Sequence, residues 1–275
     1  MSTVTDQDLL SPELTEDPFA YYAELRANDP VHWAPASRAW LVTRYDDVVA
    51  AFGDPRLSSD RVRPLLGVLP AERRAEYGPM LEVISRWMVV TDPPVHTRLN
   101  RLASRAFRQQ RVSAMSGWIG ELVDELLDDF VAAGDDDFLA GLAYPLPAAV
   151  IARMMGVLRF EGPIKILIRW VVEDHERDGR PVRAGDRVFL VLQSANRDEG
   201  TFSGPDRFDI GRPAKPLHVG FGRGVHACLG AQLARIEARV ALPRILDRLG
   251  PVRVLGDVTW RPNIASRAVT GLRIG

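Results

Sequence analysis

The sequence predicts a mainly α-helical fold carrying a small mixed β-sheet. Three observations point there. Trp118, Ile119, Leu122, Val123, Leu126, Leu127 and Phe130 recur at helical spacing, with acids on the opposite face. A second stripe, Leu229, Leu233, Ile236 and Val240, marks a helix over 229–246. Between them Ile164, Ile166, Ile168, Trp170 and Val172 alternate with other residues, and 187–192 is β-branched and apolar, so both stretches read as strands.

Taken in order, residues 1–20 are acidic and polar and read as a loosely held arm. Asp17 and Pro18 open a short helix over 18–26. Residues 31–33 and 39–43 have strand composition around a Pro/Ser turn and form a hairpin. A second short helix covers 45–52, and the Pro-, Gly- and Arg-rich stretch 53–80 reads as irregular. Leu65, Leu66, Met80, Trp87 and Met88 are assigned to ordinary packing rather than to a pocket lining. Pro93 and Pro94 open an amphipathic segment over 96–108, and Gly134 ends the helix that holds Trp118. Another apolar helix spans 145–155, a long loop spans 195–220, and short strand-like pieces close the chain.

Composition narrows the class. The chain has 275 residues, 46% hydrophobic and 26% charged, with 35 basic against 36 acidic side chains. A chain of this length buries roughly 75% of the surface its unfolded form exposes, which supports a real core. A net charge of -1 gives no reason to expect nucleic acid or an anionic membrane as partner. No run of ~18 apolar residues marks a membrane span. The start, Met-Ser-Thr-Val-Thr-Asp, has neither a basic nor an apolar region, so no signal peptide is expected. One cysteine excludes an internal disulfide and a Cys-rich zinc site, and fits a cytoplasmic location.

That cysteine sits in FGRGVHACLG, residues 221–230. A lone cysteine is most often a small buried hydrophobe. Here Gly222 and Gly224 let the backbone turn tightly and approach a flat ligand. Cys228 stands just before a strong helix, whose free N–H groups favour an anionic sulfur. Phe221 is in position to cover the sulfur, and Arg223 and His226 bring donors beside it. An anionic sulfur ligand to iron needs such a shielded, donor-rich pocket. A competing reading takes Gly222-x-Gly224-x-x-Ala227 as a dinucleotide-binding turn. It is the weaker one. The chain upstream is mostly helical, and no acidic residue ends a strand ~20 positions on.

FGRGVHACLG resembles the haem-binding loop of the cytochrome P450 family, of the soluble bacterial type. TDPPVHTRL (91–99) is similar to the start of that family's C helix, and AWLVTRYDDVVAAF (39–52) to its first sheet and B helix. RWVVED (169–174), AGDRV (184–188), ANRDE (195–199) and PDRFDIGR (205–212) are similar to its strand and meander segments, in the family's order. The resemblance implies haem b as cofactor, with Cys228 as thiolate ligand to its iron and Phe221 packed beside the sulfur on the Gly222/Gly224 loop. His96, Arg169 and His226 would hold the haem propionates. It implies a monooxygenase that inserts one oxygen atom of O2 into a small organic substrate. Electrons would come from NAD(P)H through a ferredoxin and its reductase.

Two departures from the family pattern bear on that expectation. Where the C helix carries an arginine four residues after its histidine, this chain has Asn100, with Arg98 and Arg101 expected on other faces. The second is larger. The helix over 145–155 resembles the E helix, yet 158–163 resembles the end of the K helix. Nothing between resembles the F to J helices, nor the acid–alcohol pair of the I helix. Arg159 matches the arginine of the K-helix Glu-x-x-Arg motif, but its glutamate position is Gly156. The expectation is a single abridged domain over 1–275 with a deletion junction near 156–160. Its alternative function is a catalytically dead haem-binding remnant, with apolar surface exposed where the missing helices would lie.

Overall fold

The structure, a computed structural model, describes residues 4–105, 107–134, 136–143, 159–209, 212 and 215–275. In chain order the first elements are α1 (Pro12–Glu16), α2 (Phe19–Asn28), β1 (Val31–Ala34), β2 (Ala39–Val42), α3 (Tyr45–Phe52) and β3 (Leu57–Ser58). Then follow α4 (Arg63–Val68), α5 (Ala71–Ile84), α6 (Val95–Ala103), α7 (Gln109–Ala114) and α8 (Ser116–Ala133). The last group is β4 (Ile166–Val171), β5 (His175–Arg177), β6 (Arg180–Val182), β7 (Arg187–Val191), α9 (Leu192–Ala195), α10 (Ala231–Leu249), β8 (Val254–Trp260) and β9 (Val269–Ile274). The mainly helical fold with a small mixed sheet is thus as expected.

Five strands form the main sheet in the order β1-β2-β7-β4-β3. β2 and β7 run parallel and the other neighbours antiparallel. Side chains alternate across a strand, so the sheet carries two apolar faces. Leu41, Ile166, Phe189 and Val191 pack against Tyr22 and Leu25 of α2. Val42, Val171, Val188 and Leu190 pack against Val48 and Phe52 of α3. Each such side chain, fully buried, contributes about 1.5–3 kcal/mol. Arg169 shares the parity of Leu167 and Val171, which places it on the α3 side. Its guanidinium lies 5.9 Å from the centre of the Phe52 ring.

The helical part has one tight contact. Ile119, Val123 and Leu127 of α8 meet Ala241 and Ile245 of α10. The pairs Asp124–Arg244, at 3.1 Å, and Asp128–Arg248 line the rim of that contact. Asp17 caps the Phe19 N–H at 3.1 Å, and α8 ends at Gly134, both as read from the sequence.

Several expectations are corrected. The arm is held rather than loose: Leu9 and Leu14 are buried, Ser11 caps α1, and Arg267 donates to the carbonyls of Thr15 and Glu16 at 2.8 and 2.7 Å. The stretch 53–80 contains α4 and most of α5. Neither helix carries a buried apolar stripe, and Gly78 alone is buried in α5. Leu65, Met80 and Trp87 are therefore exposed, not packed. Trp118 also faces solvent, outside the stripe that the helical spacing assigned it to. In α10 the most buried residues are Ala238, Ala241 and Ile245, while Leu233, Ile236 and Val240 pack at the edge. The helix expected over 145–155 lies outside the described residues, as does Gly156.

Candidate functional site

The cysteine loop leaves the sheet through Asn196, which is buried just after α9. Its side-chain oxygen accepts the Val219 N–H at 2.8 Å. Gly222 and Gly224 both take left-handed backbone conformations, with φ of 67° and 64°. A Cβ at Gly222 would stand 3.3 Å from the His226 carbonyl, and one at Gly224 3.4 Å from that of Phe52. Both positions therefore favour glycine on two counts. The Cys228 N–H donates to the Phe221 carbonyl at 2.9 Å, closing the loop. A 3-10 turn spans Gly224–His226, and α10 begins three residues beyond the cysteine.

The thiol of Cys228 is free and exposed rather than lodged in the core. It borders two open clefts. One, of about 490 Å³, is lined by His96, Thr97, Asn100 and Arg101 of α6 opposite the loop. The other, of about 370 Å³, is lined by His218, Phe221, Arg223 and Arg235.

Two imidazoles and a guanidinium lie under the loop. The rings of His96 and His226 stand 4.1 Å apart, centre to centre. His96 is buried, and that burial pulls its pKa down despite Asp92 nearby. His226 is pushed down to about 4 by burial, with His96 and Arg169 adding to the effect. Its Nε2 is buried without a hydrogen-bond partner, 3.9 Å from Asp92 Oδ1. Arg169 is 4% exposed, donates at 3.2 Å to the Ile168 carbonyl, and makes no ion pair among the described residues. Burial and then Arg61 bring it down to about 10. Asp92 is tied to Ser58 Oγ and to the Ser59 N–H at 2.9 Å. A buried guanidinium without a carboxylate is costly unless an anion arrives.

The structure thus brings His96, Arg169 and His226 together, and holds Phe221, Gly222, Gly224 and Cys228 on one closed loop. Arg223 turns elsewhere: it bonds to the Tyr45 hydroxyl and, at 2.8 Å, to the Leu217 carbonyl. Arg101 lines the first cleft with Cys228, contrary to the expectation that it points away. Asn100, at the departure from the family pattern, accepts from Ser104 Oγ at 2.9 Å. Arg159 is buried and reaches the carbonyls of Asn196 and Arg207 at 2.8 and 3.3 Å, in place of an acid. Arg61 and Arg235 were not legible as neighbours of the loop. Their proximity depends on folding, and no local spacing announces it.

These residues fit an iron-centred flat group bearing two carboxylates. An accessible sulfur borders open clefts, and near it lie two imidazoles and a buried guanidinium, that of Arg169, with no ion pair among the described residues. Among the described residues no cluster of three or more His, Cys, Asp or Glu is placed to hold a bare metal ion. No described helix is long and apolar enough to cross a membrane.

Comparison with known proteins gives the following. The Cytochrome P450 family model matches residues 154–250. Cytochrome P450 monooxygenase PikC of Streptomyces venezuelae is 26% identical, over 98% of this chain and 94% of its own length. Vitamin D(3) 25-hydroxylase of Pseudonocardia autotrophica is 28% identical, over 99% and 97%. Among solved structures, Bacillus subtilis cytochrome P450 PksS superposes with a TM-score of 0.81 at 22% identity, covering 98% of this chain and 99% of that one. The PikC alignment runs over 400 positions against a chain of 275 residues, so at least 125 of its positions face no residue here. The fold is an abridged one.

Proposed function

We propose that this chain, which is similar to cytochrome P450 proteins, is a haem-thiolate oxidoreductase with Cys228 as the iron ligand. The observation that carries the reading is the exposed sulfur on a glycine-hinged loop above buried Arg169, which makes no ion pair among the described residues. Haem b, when bound, supplies the binding and activation of O2 for insertion of one oxygen atom into a small organic substrate. The chain's part is to hold it. Cys228 ligates the iron, and the Phe221 carbonyl pins the Cys228 backbone. Phe221 lines the second cleft with Cys228, where it would pack beside the bound group. His96, His226 and Arg169 would donate to the propionates, and the anion would in turn compensate the buried charge of Arg169. Electrons come from a ferredoxin and its reductase.

A second reading has its own support, the unmatched positions in the alignments. We place the missing length at a junction near 156–160, within one domain. Motifs of the family's order stand on both sides of it, and no acid–alcohol pair lies between α8 and Arg159. On that reading the chain is a haem-binding remnant without oxygenase turnover, because oxygen activation needs excluded water and a controlled proton supply.

The test is spectroscopic first. Purified protein is reduced, carbon monoxide is added and the Soret band recorded. A thiolate-type band that disappears in Cys228→Ser supports the ligand assignment, and no haem in the wild-type protein sinks it. Next, NADH oxidation is followed with ferredoxin, reductase and candidate substrates. An O2-dependent product supports the monooxygenase, and haem without product supports the remnant.

A further inference from the structure

The second cleft beside Cys228 carries a positive charge at Arg235. Arg235 stands one helical turn after Ala231, and both line this cleft with Cys228 and Phe221. Its guanidinium lies 4.9 Å from the centre of the Phe221 ring. The His218 ring packs against the same phenyl group at 5.9 Å. The Phe221 carbonyl in turn receives the Cys228 N–H. An unbroken chain of contacts therefore runs from Arg235 through Phe221 to the cysteine backbone.

The electrostatics single out Arg235 within that chain. Burial pushes His218 down to about 4, so this ring is neutral at pH 7, and its Nδ1 accepts the Gly220 N–H at 3.1 Å. Arg223 spends its donors on Tyr45 and the Leu217 carbonyl. Arg235 has neither an ion pair nor a hydrogen bond among the described residues. No acidic residue lines the cleft. Its positive charge is uncompensated, held on an aromatic face at the edge of the thiol's own cleft.

We infer that Arg235 is a positioning residue for the Cys228 sulfur. It clamps the Phe221 ring on which the loop closes, and it sets a fixed positive charge beside the anionic sulfur. This rests on Cys228 being the iron ligand. A positive charge near a metal centre favours the reduced, less positive state, so Arg235 raises the iron reduction potential.

The experiment measures the Fe(III)/Fe(II) midpoint of the haem-loaded protein by spectroelectrochemistry, with mediators and no protein redox partner. Arg235→Gln should lower the midpoint by up to a tenfold change in the equilibrium, which is about 59 mV for one electron. Arg235→Lys, which keeps the charge, should recover most of that shift. In a Phe221→Leu background Arg235→Gln should move the midpoint less, because the two side chains act together. An unmoved midpoint in Arg235→Gln, with a normal thiolate Soret band, overturns this inference and leaves the ligand assignment standing. So does a shift in Arg235→Lys as large as in Arg235→Gln. Wild-type protein without a thiolate Soret band overturns both.

Discussion

In the five-stranded sheet, Leu41, Val188, Leu190 and Val191 have no solvent exposure, whereas α4 and α5 together bury only Gly78. The sheet finds its cover within the chain, with α2 on one face and α3 on the other. The helical region leaves Val68, Met80, Val83, Trp87, Leu102 and Trp118 in water. The cysteine loop lies at the seam. Its hinge glycines touch α3, the donors beneath it come from β4 and α6, and its open clefts face the helical side. The contrast teaches where the site draws its order. The elements that fix Cys228 are those of the well-covered half, and the elements that would enclose a bound group are those left bare.

The largest expected effect tests the seam itself. Cys228→Ser should abolish the thiolate Soret band while leaving the far-ultraviolet circular dichroism unchanged, since this side chain is exposed and supports no core. Loss of the helical spectrum as well would show that the loop and the sheet are not separable. Next comes the sheet. Phe189→Ala should destabilise the protein by about 3–5 kcal/mol, read from the denaturant midpoint, because Phe189 is 2% exposed in a packed face.

A smaller effect is expected from pH. His218 titrates near 4 in the folded chain and near 6.5 when unfolded. Below about 6.5 the unfolded chain binds a proton that the folded chain refuses. The contribution is therefore fully present above that pH and is lost as pH falls toward 4. Its slope approaches about 1.4 kcal/mol per pH unit. His218→Gln should flatten the fall in midpoint between pH 7 and pH 5, and a parallel fall would reject the assignment. Smallest in stability is the bare side. Met80→Ser and Trp87→Ser should change stability by less than about 0.5 kcal/mol. Both should reduce concentration-dependent light scattering, because they shrink the exposed apolar patch. Scattering of a clean monomer in the wild-type protein would break the contrast drawn here.

Legibility followed the same division. The helix at Tyr45–Phe52 buries Tyr45, Val48, Ala51 and Phe52 on one face, and the hairpin pairing Val31 with Val42 was readable from strand composition around its turn. Helices α4 and α5 were not, because they bury almost nothing and leave no stripe to read. At the site, the residues from Phe221 to Cys228 were legible as a motif, and His96 and Arg169 through the resemblance. Arg101, Arg61 and Arg235 came from elsewhere. Their place at the loop follows from how α6, the turn after β3, and α10 pack, which no local pattern encodes.

Asn196 joins two parts of the chain. Its carbonyl takes Arg159 and its side chain takes Val219, so one buried amide couples the residues just past the proposed junction to the root of the cysteine loop. On the proposed reading, chain lost upstream of Arg159 would remove a roof without loosening that anchor. An architecture tied this way could be trimmed from the distal side and keep the loop that is proposed to hold iron.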